Sequence, residues 1–171
     1  RVQMQIAETH NRLQQTRRSV YEFFNLLSAF LSDRLEENED GWTAQNKGTK
    51  PAYDQPVRLT QGMRNNPAWS QVEIVWENLD KRLAGVEEGL GKLHKALSGL
   101  ANQKVNDYDA LQADVQGFIS RFSSLRNQGT AIISQPERTG IYWLTVAAQG
   151  GDVTMHAAPL HVGGILAEQL F

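Results

Sequence analysis

The sequence predicts a mainly α-helical fold: an elongated antiparallel bundle of three long helices, with a C-terminal β-hairpin and a short terminal helix. Three observations predict it. The large apolar residues of 67–100 recur in alternating steps of three and four. The flanking stretches carry stripes of related period. Beyond residue 140 the pattern changes to β-rich runs around a glycine-bearing turn.

Residues 67–100 are the organising element. Trp69, Val72, Trp76, Leu79, Leu83, Val86, Leu90, Leu93, Leu97 and Leu100 form an unbroken a/d seam. Asn65 and Asn66 stand at the cap, and Pro67 suits the first helical position, where a missing N–H costs nothing. Glu73, Glu77 and Asp80 come early and Lys92, His94 and Lys95 late, which matches the helix dipole. Such a helix is roughly 50 Å long at 1.5 Å per residue and cannot bury its seam alone, so the chain must supply partners.

Residues 2–35 supply the first. Ile6, Leu13, Val20 and Leu27 recur every seven, Phe24, Leu31 and Leu35 broaden the stripe, and no Gly or Pro interrupts it. The interval 9–16 is weakly apolar and should show only a narrow face to the core. Arg12, Arg17 and Arg18 make a small basic patch beside it, read as a solvated helix face or, alternatively, a phosphate contact.

Residues 36–66 break the pattern with Gly41, Gly48, Gly62, Pro51 and Pro56 and an acidic cluster, Glu36, Glu37, Glu39 and Asp40. A loop excursion of this length is uncommon inside a domain and is often functional. Only Val57-Arg58-Leu59-Thr60 reads as a short strand, with Val57 and Leu59 on one side and Arg58 and Thr60 on the other. Trp42, Lys47, Lys50, Tyr53 and Arg64 lie on the same excursion. Rings interleaved with cations suit single-stranded nucleic acid, which needs stacking surfaces and phosphate partners. The same rings would equally pin the loop to the bundle. Lys47, Lys50, Arg58 and Arg64 are the candidate nucleic-acid contacts.

A polar turn is expected at 101–106, with Asn106 as cap and Asp107 and Asp109 favouring the start of the next helix. There Tyr108, Leu111, Val115, Phe118, Phe122 and Leu125 again step by three and four. Ile132 falls seven after Leu125, so the helix should pass Gly129 and end near Ser134, before Pro136. Residues 67–134 then form a helical hairpin. In 140–171, Ile141-Tyr142-Trp143-Leu144-Thr145-Val146 and Val153-Thr154-Met155-His156-Ala157-Ala158 flank Gly150-Gly151, a hairpin signal. Pro159 ends the second strand, and 162–171 reads as a short helix with Ile165, Leu166 and Leu170 inward.

A chain of 171 residues is enough for one domain with a core. Its 40% apolar and 21% charged content argues against disorder, and no apolar run approaches the ~20 residues that cross a bilayer. The chain has no cysteine, which excludes disulfides, thiolate zinc sites and cysteine-ligated iron–sulfur clusters within it and fits a reducing, cytoplasmic compartment. A net charge of −2 excludes a broad basic field, so any nucleic-acid contact must be local.

No GxxxxGK[ST], GxGxxG or GxSxG run occurs. Gly85, Gly89 and Gly91 fall inside a helix, where they read as close-packing or surface glycines. His10, His94, His156 and His161 lack ligand spacing. The acidic cluster reads as a solvated loop, not acid–base machinery. Residues alone therefore predict a helical binding or scaffolding module with no catalytic residue, no metal site and no cofactor.

The run Gly140-Ile141-Tyr142-Trp143-Leu144, then Val153 through Ala157-Ala158-Pro159-Leu160-His161-Val162, then Ile165-Leu166 and Leu170-Phe171, resembles a stretch of the DinG-type helicases, relatives of XPD. In that family a "YW" strand and an "AAPL.V…LL…LF" run precede helicase motif III. Arg58-Leu59-Thr60 followed by Arg64, Pro67 and Trp69 also resembles the family's pattern ahead of a long helix. The resemblance covers nearly the whole chain. It implies the arch insertion between the DEAH box and motif III of an ATP-dependent superfamily-two DNA helicase that moves 5′ to 3′ on single-stranded DNA. It further implies that ATP, Mg²⁺ and every catalytic residue belong to the parent outside this chain. The chain itself would flank the single strand as a monomer. Beginning on Arg1 and stopping on Leu170-Phe171, it is expected to be a module of something longer. The alternative expectation is a stand-alone helical adaptor that binds protein partners through its helices.

Overall fold

The computed structural model describes residues 2–39, 53–100, 107–148 and 151–160. It is mainly helical, with one three-stranded antiparallel sheet. The elements are α1 (Val2–Glu39), β1 (Gln55–Arg58), α2 (Gln61–Arg64), α3 (Pro67–Ser98), α4 (Tyr108–Ile133), β2 (Gly140–Val146) and β3 (Val153–Pro159). The C-terminal hairpin is present. The expected turn at 101–106, the terminal helix at 162–171 and the loop residues Trp42, Lys47 and Lys50 lie outside the described residues. Helix α1 runs four residues past its expected end at Leu35. Its contacts divide the chain into two units, Arg1–Glu22 with Val75–Gln128, and Phe23–Ile74 with Gly129–Phe171.

In the first unit the α3 seam is buried as expected: Trp76, Leu79, Leu83, Val86, Leu90 and Leu97 all face the core. In this unit the stripe of α1 is not the expected one, whereas Leu27 and Leu31 further along are buried as expected. Ile6 and Leu13 are 51% and 39% exposed, whereas Thr9 and Thr16 are each 4% exposed. Gly85 and Gly89 explain the change. A Cβ on Gly89 would stand 2.9 Å from Thr9 Oγ1, so the two helix backbones approach closely there. Arg12 Nη1 donates to the Gly85 carbonyl at 2.8 Å. That narrow gap admits threonine against glycine and leaves no room for Ile or Leu. The helix therefore turns by about one residue, roughly 100°, relative to the apolar heptad.

Helix α4 also departs from its expected face, in the opposite direction along the chain. Leu111, Phe118 and Leu125, expected inward, are exposed, while Val115 is buried and Ile119 and Phe122 are half-buried. Polar links at the positions following Leu111 and Leu125 account for it. Gln112 Nε2 donates to Ser98 Oγ at 2.7 Å. Arg126 forks onto Asp80 at 2.7 and 3.1 Å and reaches Glu87 at 2.8 Å. Two carboxylates hold the Arg126 guanidinium well above its ordinary pKa, Asp80 first and then Glu87. Long side chains tied to α3 at 112 and 126 direct that face toward it, and the larger apolar residues beside them stay in solvent.

The second unit packs Phe23, Leu27, Phe30 and Leu31 of α1, Leu59, Trp69 and Val72, Ile132 and Ile133, and Tyr142 and Leu144 of β2, all buried. Phe30 meets Trp69 edge-on at 5.2 Å. The strand expected at 57–60 sits two residues earlier and joins the hairpin, giving the order β1-β2-β3. Pairs run Gln55–Val146 to Arg58–Trp143 on one side of β2, and Gly140–Pro159 to Val146–Val153 on the other. Helix α2, not expected, starts because the Thr60 hydroxyl accepts from the Met63 N–H at 3.3 Å. Asn66 caps α3 as expected, its Oδ1 accepting from Ala68 N at 2.9 Å.

Candidate nucleic-acid interface

The pleat sorts the sheet of the second unit into two faces. Cross-strand partners share a face, so Val57, Tyr142, Leu144 and Met155 fall on the core side. Pro56, Arg58, Ile141, Trp143, Thr145, Thr154, His156 and Ala158 fall on the outer side. The middle row of that outer face reads Arg58–Trp143–His156 across the three strands. The Trp143 and His156 rings stack at 5.0 Å with 6° between their planes. Arg58 is exposed and, among the described residues, makes no hydrogen bond, ion pair or ring contact.

Strand β1 is an edge strand. Beside it lies a cleft of about 440 Å³ lined by Arg34, Pro56, Val57, Arg58, Thr60, Gly62 and Met63. The Arg34 guanidinium lies over the Phe30 ring at 5.6 Å. Two arginines thus border one cleft.

Arg64 has a different position. Its guanidinium donates to the Ile133 carbonyl at 2.6 Å and to the Ile132 carbonyl, the last two of α4. It lies 5.7 Å from both the Trp69 and Tyr142 ring centres. Burial pulls its pKa down, partly offset by the charge of Glu73 and then by Tyr142. A cation on the carbonyl end of a helix is well placed electrostatically and occupies carbonyls the helix itself leaves unpaired. Arg64 is thereby a pin that joins α2, α3, α4 and β2.

Of the four residues singled out from the sequence, Arg58 faces solvent, Arg64 is tied to α4, and Lys47 and Lys50 lie outside the described residues. Sequence reasoning passed over Trp143 and His156 as functional residues. The alternation of Ile141, Trp143 and Thr145 was the available signal, but nothing local reveals that Arg58 pairs beside Trp143. Among the described residues no group of three or more His, Asp or Glu could hold a metal ion, and no helix is long and apolar enough to cross a membrane. Comparison with protein-family profiles, curated proteins and solved structures returns no match.

Proposed function

We propose that this chain is the arch region of a DinG-type, XPD-like ATP-dependent DNA helicase, and that it flanks the single strand on which the parent moves 5′ to 3′. What carries the proposal is the run from Gly140 to Phe171 with its "YW" and "AAPL" segments. These two segments lie on neighbouring strands, Tyr142 pairing with Ala157. The three long helices are proposed to form an antiparallel bundle. Supporting this, α1 meets α3 at Thr9–Gly89 and Arg12–Gly85, and α4 meets α3 at Gln112–Ser98 and Arg126–Asp80. In each pair a later residue of one helix meets an earlier residue of the other.

ATP and Mg²⁺ are proposed for the parent only. The resemblance carries the ATP and Mg²⁺ motifs outside this chain, and the sequence has no glycine-rich phosphate loop of its own. The work left to the chain is to hold a local cationic surface beside the strand. Arg58 supplies it among the described residues, with Lys47 and Lys50 as further contacts.

The coding sequence on either side tests the assignment. A DEAH-type carboxylate motif upstream and a Ser/Thr-Ala-Thr motif soon after Phe171 are expected. Flanks with no nucleoside-triphosphatase motif would contradict it.

One observation favours a helical adaptor instead. Leu111, Phe118 and Leu125 are exposed at spacings of seven on one face of α4. Sedimentation velocity separates the two: a folded monomer is expected of the arch, and a stable dimer weakened by Phe118→Ser is expected of the adaptor.

A further inference from the structure

We propose that the outer face of the three-stranded sheet is a nucleobase-stacking site, with Trp143 as the platform and Arg58 as the phosphate contact. It rests on the reading that this chain flanks single-stranded DNA, and it names where that strand is touched.

Three observations on one face lead to it. The first is the ring pair. His156 covers one face of the Trp143 indole from the β3 side, so the opposite face is turned toward β1. An indole braced on one side is a rigid surface for a base, and every base offers a π-face to it. The second is the cation. Arg58 is the cross-strand neighbour of Trp143 on that β1 side, yet it lies over no ring and pairs with no carboxylate among the described residues. A nucleotide carries its base and its phosphate a few ångströms apart, which is the spacing that neighbouring strands present. The third is charge. The chain as a whole has 19 acidic against 17 basic residues, but the eight residues of this face include no Asp or Glu. The cleft along the β1 edge is lined by Arg34 as well as Arg58. An acidic peptide would satisfy the charge but would leave a stacked indole without a purpose, so an unpaired base with its phosphate is the occupant the face fits.

The test uses the 171-residue chain and a fluorescein-labelled 12-nucleotide oligothymidylate, with anisotropy titrations from 20 to 200 mM salt. Trp143→Leu should weaken binding about 5- to 150-fold, the range for losing one stacked base. Trp143→Phe, which keeps a ring, should retain most of the affinity. Arg58→Gln should reduce the slope of log K against log salt by about 0.7, the loss of one phosphate contact on a single strand. His156 is a positioning residue, so His156→Ala should weaken binding without altering the salt slope, and His156→Phe should restore it. Arg58 is exposed, so its variant keeps the test valid even if a Trp143 variant fails to fold by circular dichroism.

Binding that is unchanged in Trp143→Leu and Arg58→Gln would overturn this site and leave the helicase assignment standing. Absence of binding by the unaltered chain at 20 mM salt would overturn it too, whatever the flanking motifs are. Equal displacement of the oligonucleotide by oligoglutamate of the same charge would reduce the face to a general anion surface and overturn the stacking role. Flanks without helicase motifs would overturn the helicase assignment alone.

Discussion

Arg64 holds together the part of the second unit where α4 ends. Its two terminal nitrogens satisfy the Ile132 and Ile133 carbonyls, and Trp69 Nε1 donates to the Ile133 carbonyl as well at 3.3 Å. Removing the guanidinium takes the Arg64 donor from the Ile132 carbonyl, leaves the Ile133 carbonyl only the longer bond from Trp69, and empties the space beside two aromatic rings. Arg64→Leu is expected to cost about 2–4 kcal/mol in urea denaturation, the scale of charged hydrogen bonds left unmade in a poorly solvated place. Arg64→Lys should recover only part, because an ammonium cannot fork across two carbonyls and lie flat on a ring. Gly140 is a second such residue. A Cβ there would run into the Tyr142 ring, whose hydroxyl accepts from Glu137 N at 3.0 Å. Gly140→Ala forces the ring aside and breaks that bond, so a loss of about 1–3 kcal/mol is expected in thermal or urea unfolding.

The elements were legible in the sequence to different depths for physical reasons. The seam of α3 could be counted because it is apolar throughout and buried throughout from Trp69 to Leu97, with only Leu93 half-buried. The faces of α1 and α4 could not be read the same way. Counting by apolar size selects Ile6, Leu13, Leu111 and Leu125, yet the glycines at 85 and 89 and the carboxylates at 80 and 87 decide which side of each partner helix faces α3. Those deciding residues lie on another helix, so no window along α1 or α4 contains them. The hairpin was legible from its own local turn, whereas the addition of β1 depends on a partner far along the chain.

The glycine contact makes a prediction at this scale. A methyl group on Gly91 would meet nothing within 4 Å, so Gly91→Ala should stabilise by about 0.5–1 kcal/mol through helix propensity alone. Gly89→Ala should gain the same propensity and lose it to the Thr9 hydroxyl at 2.9 Å, on a stiff β-branched side chain. Thr9→Ala should remove that conflict, so the two substitutions together are expected to be more stable than the sum of the singles predicts. Additive denaturation midpoints would show that the helices do not touch there.

At the scale of the whole molecule, the described residues offer a sheet with one core face and one outer face, and helices whose burial is set by a few polar and glycine contacts. Of the candidate site, the sequence showed cations on an excursion but not their company. Arg58 and Arg64 looked alike in the chain, six residues apart, and differ because one sits on an edge strand and the other beneath the end of a helix. The outer face, with its Arg58–Trp143–His156 row, exists only once three strands are assembled.

The claim that this chain guides a single strand for a motor elsewhere is tested most directly by unwinding with the full-length protein that contains it. Lys47, Lys50 and Arg58 would be replaced together by Ala, with Arg64 kept so that folding is untouched. Unwinding of a duplex with a 5′ single-stranded overhang should fall several-fold while ATP hydrolysis persists and thermal unfolding is unchanged. Unwinding at the unaltered rate, or a full-length protein that hydrolyses no ATP, would contradict the account.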